Sequence, residues 1–253
     1  MNPYETCKLV SEYLLFHYGE PHEVLPWDFG PASALSYAVQ CVSECVDASS
    51  LPQNARALDV GCAVGRSTFE LARYCAEAIG IDYSRRFVQV AAALASNGTF
   101  SYERTDEGAL TTRLLASVPA DIARGRASFE HGDAQALRAS LGSFDVVLAA
   151  NLIDRLVEPA LFLTRLPELV REGGQLVITS PYTWLEDFTP REKWLGGFIA
   201  GTVRRTTLDG LCAALSAHFD LVCTKNLPFL IREHARKYQW SVAQASIWRR
   251  KRS

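Results

Sequence analysis

The stretch that most constrains this chain is Ala57-Leu58-Asp59-Val60-Gly61-Cys62-Ala63-Val64-Gly65-Arg66-Ser67-Thr68-Phe69-Glu70-Leu71-Ala72-Arg73. An apolar run that reads as a strand ends in a turn holding Gly61 and Gly65, and the turn leads directly into an amphipathic helix. Such glycines let the backbone approach a ligand closely, and the helix start offers free N–H groups. In open α/β sheets this is where ligands bind. The same alternation continues along the chain: residues 55–60, 77–82, 127–132, 144–150 and 175–180 are short apolar runs separated by longer amphipathic ones. The pattern predicts an α/β fold with a doubly wound, mostly parallel sheet. Further strands around 219–226 and 238–249 bring it to seven. Gly173-Gly174 is expected to stop a helix and turn into the fifth strand.

Around this frame the sequence predicts one domain over residues 1–253, with a helical cap at 1–50 and insertions at 96–126 and 182–206. In the cap, apolar residues recur at helical spacing through Leu9, Tyr13, Phe16 and His17, and again through Ala34, Tyr37, Ala38, Cys41 and Cys45. Two helices are expected there, joined by a loop over 19–31 with apolar anchors. The insertion at 96–126, with Gly98, Gly108 and Gly125, follows the helix after the second strand and reads as a lid or mobile loop with a short helix over 110–118. The other, after strand five, carries Trp184, Phe188, Trp194 and Phe198.

Charge and cysteine usage exclude several functions. With 26 basic and 28 acidic side chains the net charge is −2, so no global field draws in nucleic acid or an anionic membrane. The basic end Arg249-Arg250-Lys251-Arg252 reads as solvated. The seven cysteines form no Cys-x-x-Cys pair and have no histidine at ligand spacing, which argues against a metal site and a disulfide framework. No leader-like or membrane-spanning run is present, and a reducing cytoplasm is the expected setting.

Asp59 decides which ligand the turn suits. A pyrophosphate-binding turn gains nothing from a carboxylate two residues before its first glycine, because like charges repel. S-adenosylmethionine has no phosphate but carries an ammonium, which Asp59 would pair. The stretch resembles motif I of the class I methyltransferases, an acid, any residue and a glycine, then small residues and another glycine. The resemblance continues in order along the chain. It implies that Asp59, Gly61, Cys62, Ala63 and Gly65 hold the cofactor. Asp82, 17 positions past Gly65, with Tyr83 beside it, would take the ribose hydroxyls, and Asp133 and Ala134 the adenine. Asn151 falls at the reactive end of the fourth strand. S-adenosylhomocysteine (SAH) is the implied product. Cys62 reads as a small residue tolerated in the turn, since no base is identifiable beside it.

A narrower resemblance covers nearly the whole chain. Pro3-Tyr4-Glu5-Thr6, Glu12-Tyr13-Leu14-Leu15-Phe16-His17-Tyr18-Gly19 and Leu25-Pro26-Trp27-Asp28-Phe29-Gly30-Pro31 are similar to the opening of the ovothiol-pathway methyltransferases, usually met as the C-terminal domain of 5-histidylcysteine sulfoxide synthase. Tyr102, Glu107-Gly108, Asn151-Leu152-Ile153-Asp154-Arg155-Leu156, Ser180-Pro181-Tyr182-Thr183-Trp184 and Leu227-Pro228-Phe229-Leu230-Ile231-Arg232-Glu233-His234 fit the same family. The chain departs from it at Ser36-Tyr37-Ala38-Val39-Gln40-Cys41, where the family has a proline and an arginine before the cysteine, and in lacking the synthase domain. It would then act alone, after a separate sulfoxide synthase and a lyase.

The resemblance implies methyl transfer to the π imidazole nitrogen of 5-thiohistidine, giving ovothiol A. In-line displacement at a sulfonium needs the nitrogen held on the sulfur–methyl axis, with the softer thiolate kept off it. Asn151, Asp28 and Tyr182 are the candidates for catalytic contact. A free amino acid also needs a grip on its carboxylate, for which Arg155 and Arg232 are candidates. Asp28, Asp154 and Glu233 are candidates for its ammonium. Tyr4, Tyr13, His17, Trp27 and Trp184 complete the expected substrate contacts. The competing readings are a methyltransferase of another small molecule such as histidine, a non-catalytic cofactor-binding module, and a nicotinamide-dependent oxidoreductase, which Asp59 and a missing third glycine disfavour.

Overall fold

The computed structural model describes residues 3–252. The cap contains the two expected helices, α1 (Cys7–Tyr18) and, after an extra turn α2 (Pro21–Val24), α3 (Tyr37–Ser43). Thr6 starts α1 by accepting a hydrogen bond from Leu9 N, and the helix buries Val10, Leu14 and Leu15. The extra turn within the expected loop follows from Pro21 in its first turn and a capping box between Glu20 and Glu23.

The elements then run β1 (Arg56–Val60), α4 (Arg66–Leu71), β2 (Glu77–Asp82), α5 (Arg85–Asn97), β3 (Thr99–Glu107), β4 (Leu110–Ser117), β5 (Ala127–His131) and β6 (Phe144–Ala150). After these come α6 (Pro159–Leu169), β7 (Val170–Ser180), β8 (Phe198–Ala200), β9 (Val203–Arg205), α7 (Thr207–Leu215), β10 (Phe219–His234) and β11 (Lys237–Arg250). Seven strands form the expected sheet in the order β10-β11-β7-β6-β1-β2-β5. Neighbouring strands from β5 to β7 pair in parallel, and β11 runs against both of its neighbours.

Alternation along the strands sends side chains to two separate apolar layers. Val146 and Leu148 join the layer formed with α1, α3, α4 and α5, together with Leu14, Phe69 and Phe87. Val147 and Ala149 join the opposite one, with Phe162 of α6, Leu211 of α7 and Trp248. All the parallel strands therefore end on one side of the molecule, between the cap and the two loops that follow β6 and β7.

Three expectations change. Residues 110–118 form a strand, not a helix: β4 pairs antiparallel with β3 around Gly108, whose φ is +56°. Its period is two, with Tyr102 and Ala116 buried on the inner side, and Thr111 and Thr112 favour extended backbone. This hairpin packs against α1, α5 and β10. Gly173-Gly174 lies inside β7 rather than ahead of it; α6 stops at Leu169, and Gly173, at φ +75°, sits where the register with β6 shifts. The last two strands are longer than expected, 16 and 14 residues. Pro228 is tolerated because β10 is the edge of the sheet. Only 244–249 of β11 pair with β7, so the far half of the β10–β11 hairpin overhangs the sheet and packs on α1 and α3. No helix among the described residues is long and apolar enough to cross a membrane.

Candidate active site

A cavity of about 460 Å³ opens at the carboxyl ends of β1, β2, β5 and β6, under the cap. Its floor is the turn after β1. Gly61 N and Cys62 N donate to Ile81 O at 2.8 and 3.1 Å, which ties the turn to β2. Gly61, Ala63 and Gly65 all have positive φ, 77°, 47° and 87°. At Gly65 a Cβ would lie 2.7 Å from the Phe129 ring, so both conformation and space require glycine.

Three carboxylates stand around this turn. Asp59 is 1% exposed and faces the cavity, with the Thr68 hydroxyl donating to Oδ2 at 2.7 Å. Burial pushes its carboxyl up to about 7, against the pull of the Thr68 hydrogen bond. Asp82 accepts from Ala63 N and Ser84 N, both at 2.8 Å. Burial raises it to about 6, while these two amides hold it down. Asp133 lines the far wall with Gly132, Ala134 and Gln135, and accepts from Gln135 N at 2.8 Å. Tyr83 is also on the cavity wall. Burial raises the Cys62 thiol well above its ordinary value, so it is held as a thiol and is no nucleophile.

The roof comes from the N-terminal segment. Ser84 Oγ donates to Tyr4 O at 3.0 Å and Arg85 N to Glu5 Oε1 at 2.9 Å, which fixes the segment over the start of α5. Tyr4, Tyr13 and Phe87 pack edge to face and tilted, with ring centroids 4.8 to 6.1 Å apart. His17 lines the cavity with Nδ1 unpaired, and burial with the nearby Arg66 charge lowers its pKa to about 3, so the imidazole is neutral.

At the end of β6, Asn151 adopts φ +50° and lines the cavity beside Tyr37. The Tyr37 hydroxyl donates to Asn151 Oδ1 at 2.8 Å and lies 2.6 Å from Thr179 Oγ1. Arg155 is the cation of the wall: Nη1 donates to Asp154 O, Asp154 Oδ2 and Thr183 O at 2.9 to 3.0 Å, and the guanidinium lies over the Phe188 ring at 4.9 Å. Asp154 is fully buried and acts through Arg155 rather than from the cavity surface.

Other expected contacts lie elsewhere. Tyr182 donates to Gln244 Oε1 at 2.9 Å and Trp184 to Thr207 Oγ1 at 2.8 Å, both outside the cavity lining. Arg232 is 4% exposed and grips Glu23 O and Asp106, binding the β3–β4 hairpin to the overhang; the strand alternation that hides it turns Ile231 to the cavity instead. Glu233 pairs with Lys237 at 2.7 Å. Asp28 is exposed, and Trp27 belongs to a separate surface hollow, where its Nε1 donates to Tyr238 Oη. The 96–126 insertion contributes nothing to the cavity. The sequence reading missed Tyr37, Phe16, Phe87, Gln135 and Asp187 as lining residues. For Phe16 and Phe87 the signal was present, as the aromatic face of α1 and the turn after the Ser84 cap; for Tyr37 none was.

The donor set fits S-adenosylmethionine. A buried carboxylate with one neutral partner suits an ammonium, Asp82 suits a pair of hydroxyls, Asp133 an adenine amine, and the aromatic roof its flat, apolar surface. No group of metal-ligating side chains occurs among the described residues. Residues 58–178 match the family of methyltransferase domains. A ubiquinone biosynthesis O-methyltransferase of Azorhizobium caulinodans is 28% identical over 125 residues, 49% of this chain and 40% of that protein. The matched stretch thus spans less than half of that relative. Among solved structures, a SAM-dependent methyltransferase from Methanosarcina mazei superposes with a TM-score of 0.52 at 17% identity, covering 81% of this chain and 96% of that one. Magnesium protoporphyrin IX methyltransferase from Synechocystis PCC 6803, with bound SAH, gives 0.51 at 17% identity, over 85% and 81%. The chain has the fold of the class I methyltransferases, its residues 58–178 match the methyltransferase-domain family, and the groups around its cavity fit S-adenosylmethionine.

Proposed function

We propose that the chain methylates the π nitrogen of 5-thiohistidine, giving ovothiol A. The observation that supports this reading is the composition of the reactive end of the cavity: aromatic walls, a guanidinium and, among the described residues, no histidine or tyrosine poised to act as a base near neutrality. His17 is too acidic when protonated to hold a proton there, and Tyr4, Tyr13 and Tyr37 are all pushed above the ordinary phenol range by burial. Such a site suits an acceptor that brings its own lone pair.

When bound, S-adenosylmethionine supplies an electrophilic methyl on its sulfonium. The π nitrogen of the thiolate form has a free lone pair when the proton is on the other ring nitrogen. That pair forms the N–C bond as the C–S bond breaks toward the sulfonium sulfur, and the product is an imidazolium thiolate. No proton has to leave, so the residues only orient. Arg155 takes the acceptor's carboxylate, its guanidinium held flat between Asp154 and Phe188. Asp187, an exposed residue of the cavity lining, is the candidate for the ammonium. Tyr4 and Tyr13 close over the site and exclude water.

Incubation with S-adenosylmethionine and 5-thiohistidine should give a product one methyl heavier. Methylation of histidine without methylation of 5-thiohistidine would overturn the assignment. The relatives' acceptors do not decide the matter, since fold alone does not set substrate.

A further inference from the structure

Asn151, Tyr37 and Thr179 are joined by hydrogen bonds that hold the Oδ1 end of the Asn151 amide against Tyr37. Asn151 N donates to Thr179 Oγ1 at 3.2 Å and to Thr179 O at 2.8 Å, so the threonine oxygen already accepts. Two hydroxyls, those of Tyr37 and Thr179, converge on the same amide atom of Asn151 at 2.8 and 3.4 Å. That atom is Oδ1: the Tyr37 hydroxyl donates to it, and the Tyr37 oxygen in turn accepts the Thr179 hydrogen at 2.6 Å. Burial keeps the Tyr37 phenol protonated, and its ring is wedged by stacking on Phe16 at 5.9 Å and by Phe229 at 4.9 Å. Nδ2 is the end left for the cavity that Asn151 lines.

This matters because 5-thiohistidine offers two nucleophiles. Its sulfur is softer than its ring nitrogen, and a thiolate that drifted onto the transfer axis would be methylated first. An amide oxygen in the cavity would repel that thiolate. Amide N–H groups attract it, hold it at one place and withdraw electron density from it. Asn151 sits at the carboxyl end of β6, where the acceptor meets the methyl group.

We propose that Tyr37 is a positioning residue that locks the Asn151 amide with Nδ2 toward the acceptor, so that this donor pins the thiolate sulfur off the transfer axis and methylation falls on nitrogen. The inference rests on the 5-thiohistidine reading. Sulfur methylation is the reaction that the device suppresses: a sulfur lone pair would form the S–CH3 bond while the sulfonium bond breaks in the same way.

The test is product regiochemistry. Tyr37→Phe keeps the ring and its stacking but removes the hydrogen to Oδ1, and the amide is free to turn. The ratio of S-methyl to N-methyl product, resolved by chromatography and mass spectrometry, should rise about tenfold or more, the effect of losing one charge-assisted hydrogen bond. SAH affinity and the thermal midpoint should be close to those of the parent. Asn151→Asp, which tolerates the same left-handed backbone, puts carboxylate oxygen in place of Nδ2 and should shift the ratio the same way by more. A ratio unchanged in both variants, with N-methylation intact, overturns the role of Tyr37 and leaves the substrate reading standing. No product from 5-thiohistidine with the parent protein would instead overturn the substrate reading, and this inference with it.

Discussion

Cofactor affinity should depend on pH through Asp59. Burial pushes its carboxyl up to about 7, against the opposing pull of the Thr68 hydrogen bond. An ammonium beside it favours the ionised form, so binding at lower pH must first release the proton. For a group with a free pKa of about 7 and a much lower bound one, the apparent Kd scales as 1 + 10^(pKa − pH). Between pH 8 and pH 6 that is a loss of about tenfold. Asp82, at about 6, contributes about a further twofold at the lower pH. Titration calorimetry with SAH in buffers of different ionisation enthalpy should show about half a proton released near pH 7. The unliganded protein should show the opposite sign in stability. The native state holds these protons more tightly than the unfolded chain does, so stability falls as pH rises from about 4 to about 7. Asp59→Asn should bind SAH weakly with most of the pH dependence gone. A parent protein whose affinity is flat from pH 6 to 8, or an Asn variant that keeps the parent's slope, would refute the reasoning.

Asp82→Ala should weaken SAH binding about tenfold or more, through loss of the ribose contacts, and unchanged affinity would remove Asp82 from that role. Arg155→Met should raise KM for 5-thiohistidine about tenfold or more while SAH affinity holds, whereas an equal loss in both would make Arg155 a structural group. Gly65→Ala should lower stability by about 1–3 kcal/mol, since alanine there is strained and meets Phe129; an unaltered thermal midpoint would contradict it. Asp106→Ala should cost about 1–3 kcal/mol by leaving the buried Arg232 guanidinium underpaired, and methyl transfer at permissive temperature should survive.

The sheet and the cofactor loop were legible because their signals are local. An acid at a strand end, a turn with Gly61 and Gly65 and a helix behind it are written in consecutive residues, and strand alternation fixed which face each residue serves. The β3–β4 hairpin was misread because Leu110, Leu114 and Leu115 fit a helical as well as an extended period, and the deciding partner, Thr99–Glu107, lies across the turn. The acceptor side was harder. Arg232 and Arg155 look equivalent in sequence, but one is spent on Asp106 and the other faces the cavity. Tyr37 falls at a register that reads as ordinary helix interior; its link to Thr179 spans 142 positions.

The overhang of β10 and β11 also sets an order of assembly. Phe16 and Tyr37 find Phe229 only after it has been made, 213 positions beyond Phe16. At translation rates of about 5–20 residues per second, that is a wait of roughly ten to forty seconds. The parallel strands around Asp59 can pair in that interval, but Phe16 and Tyr37 still lack the ring they pack on, so competence for the acceptor follows the formation of the sheet.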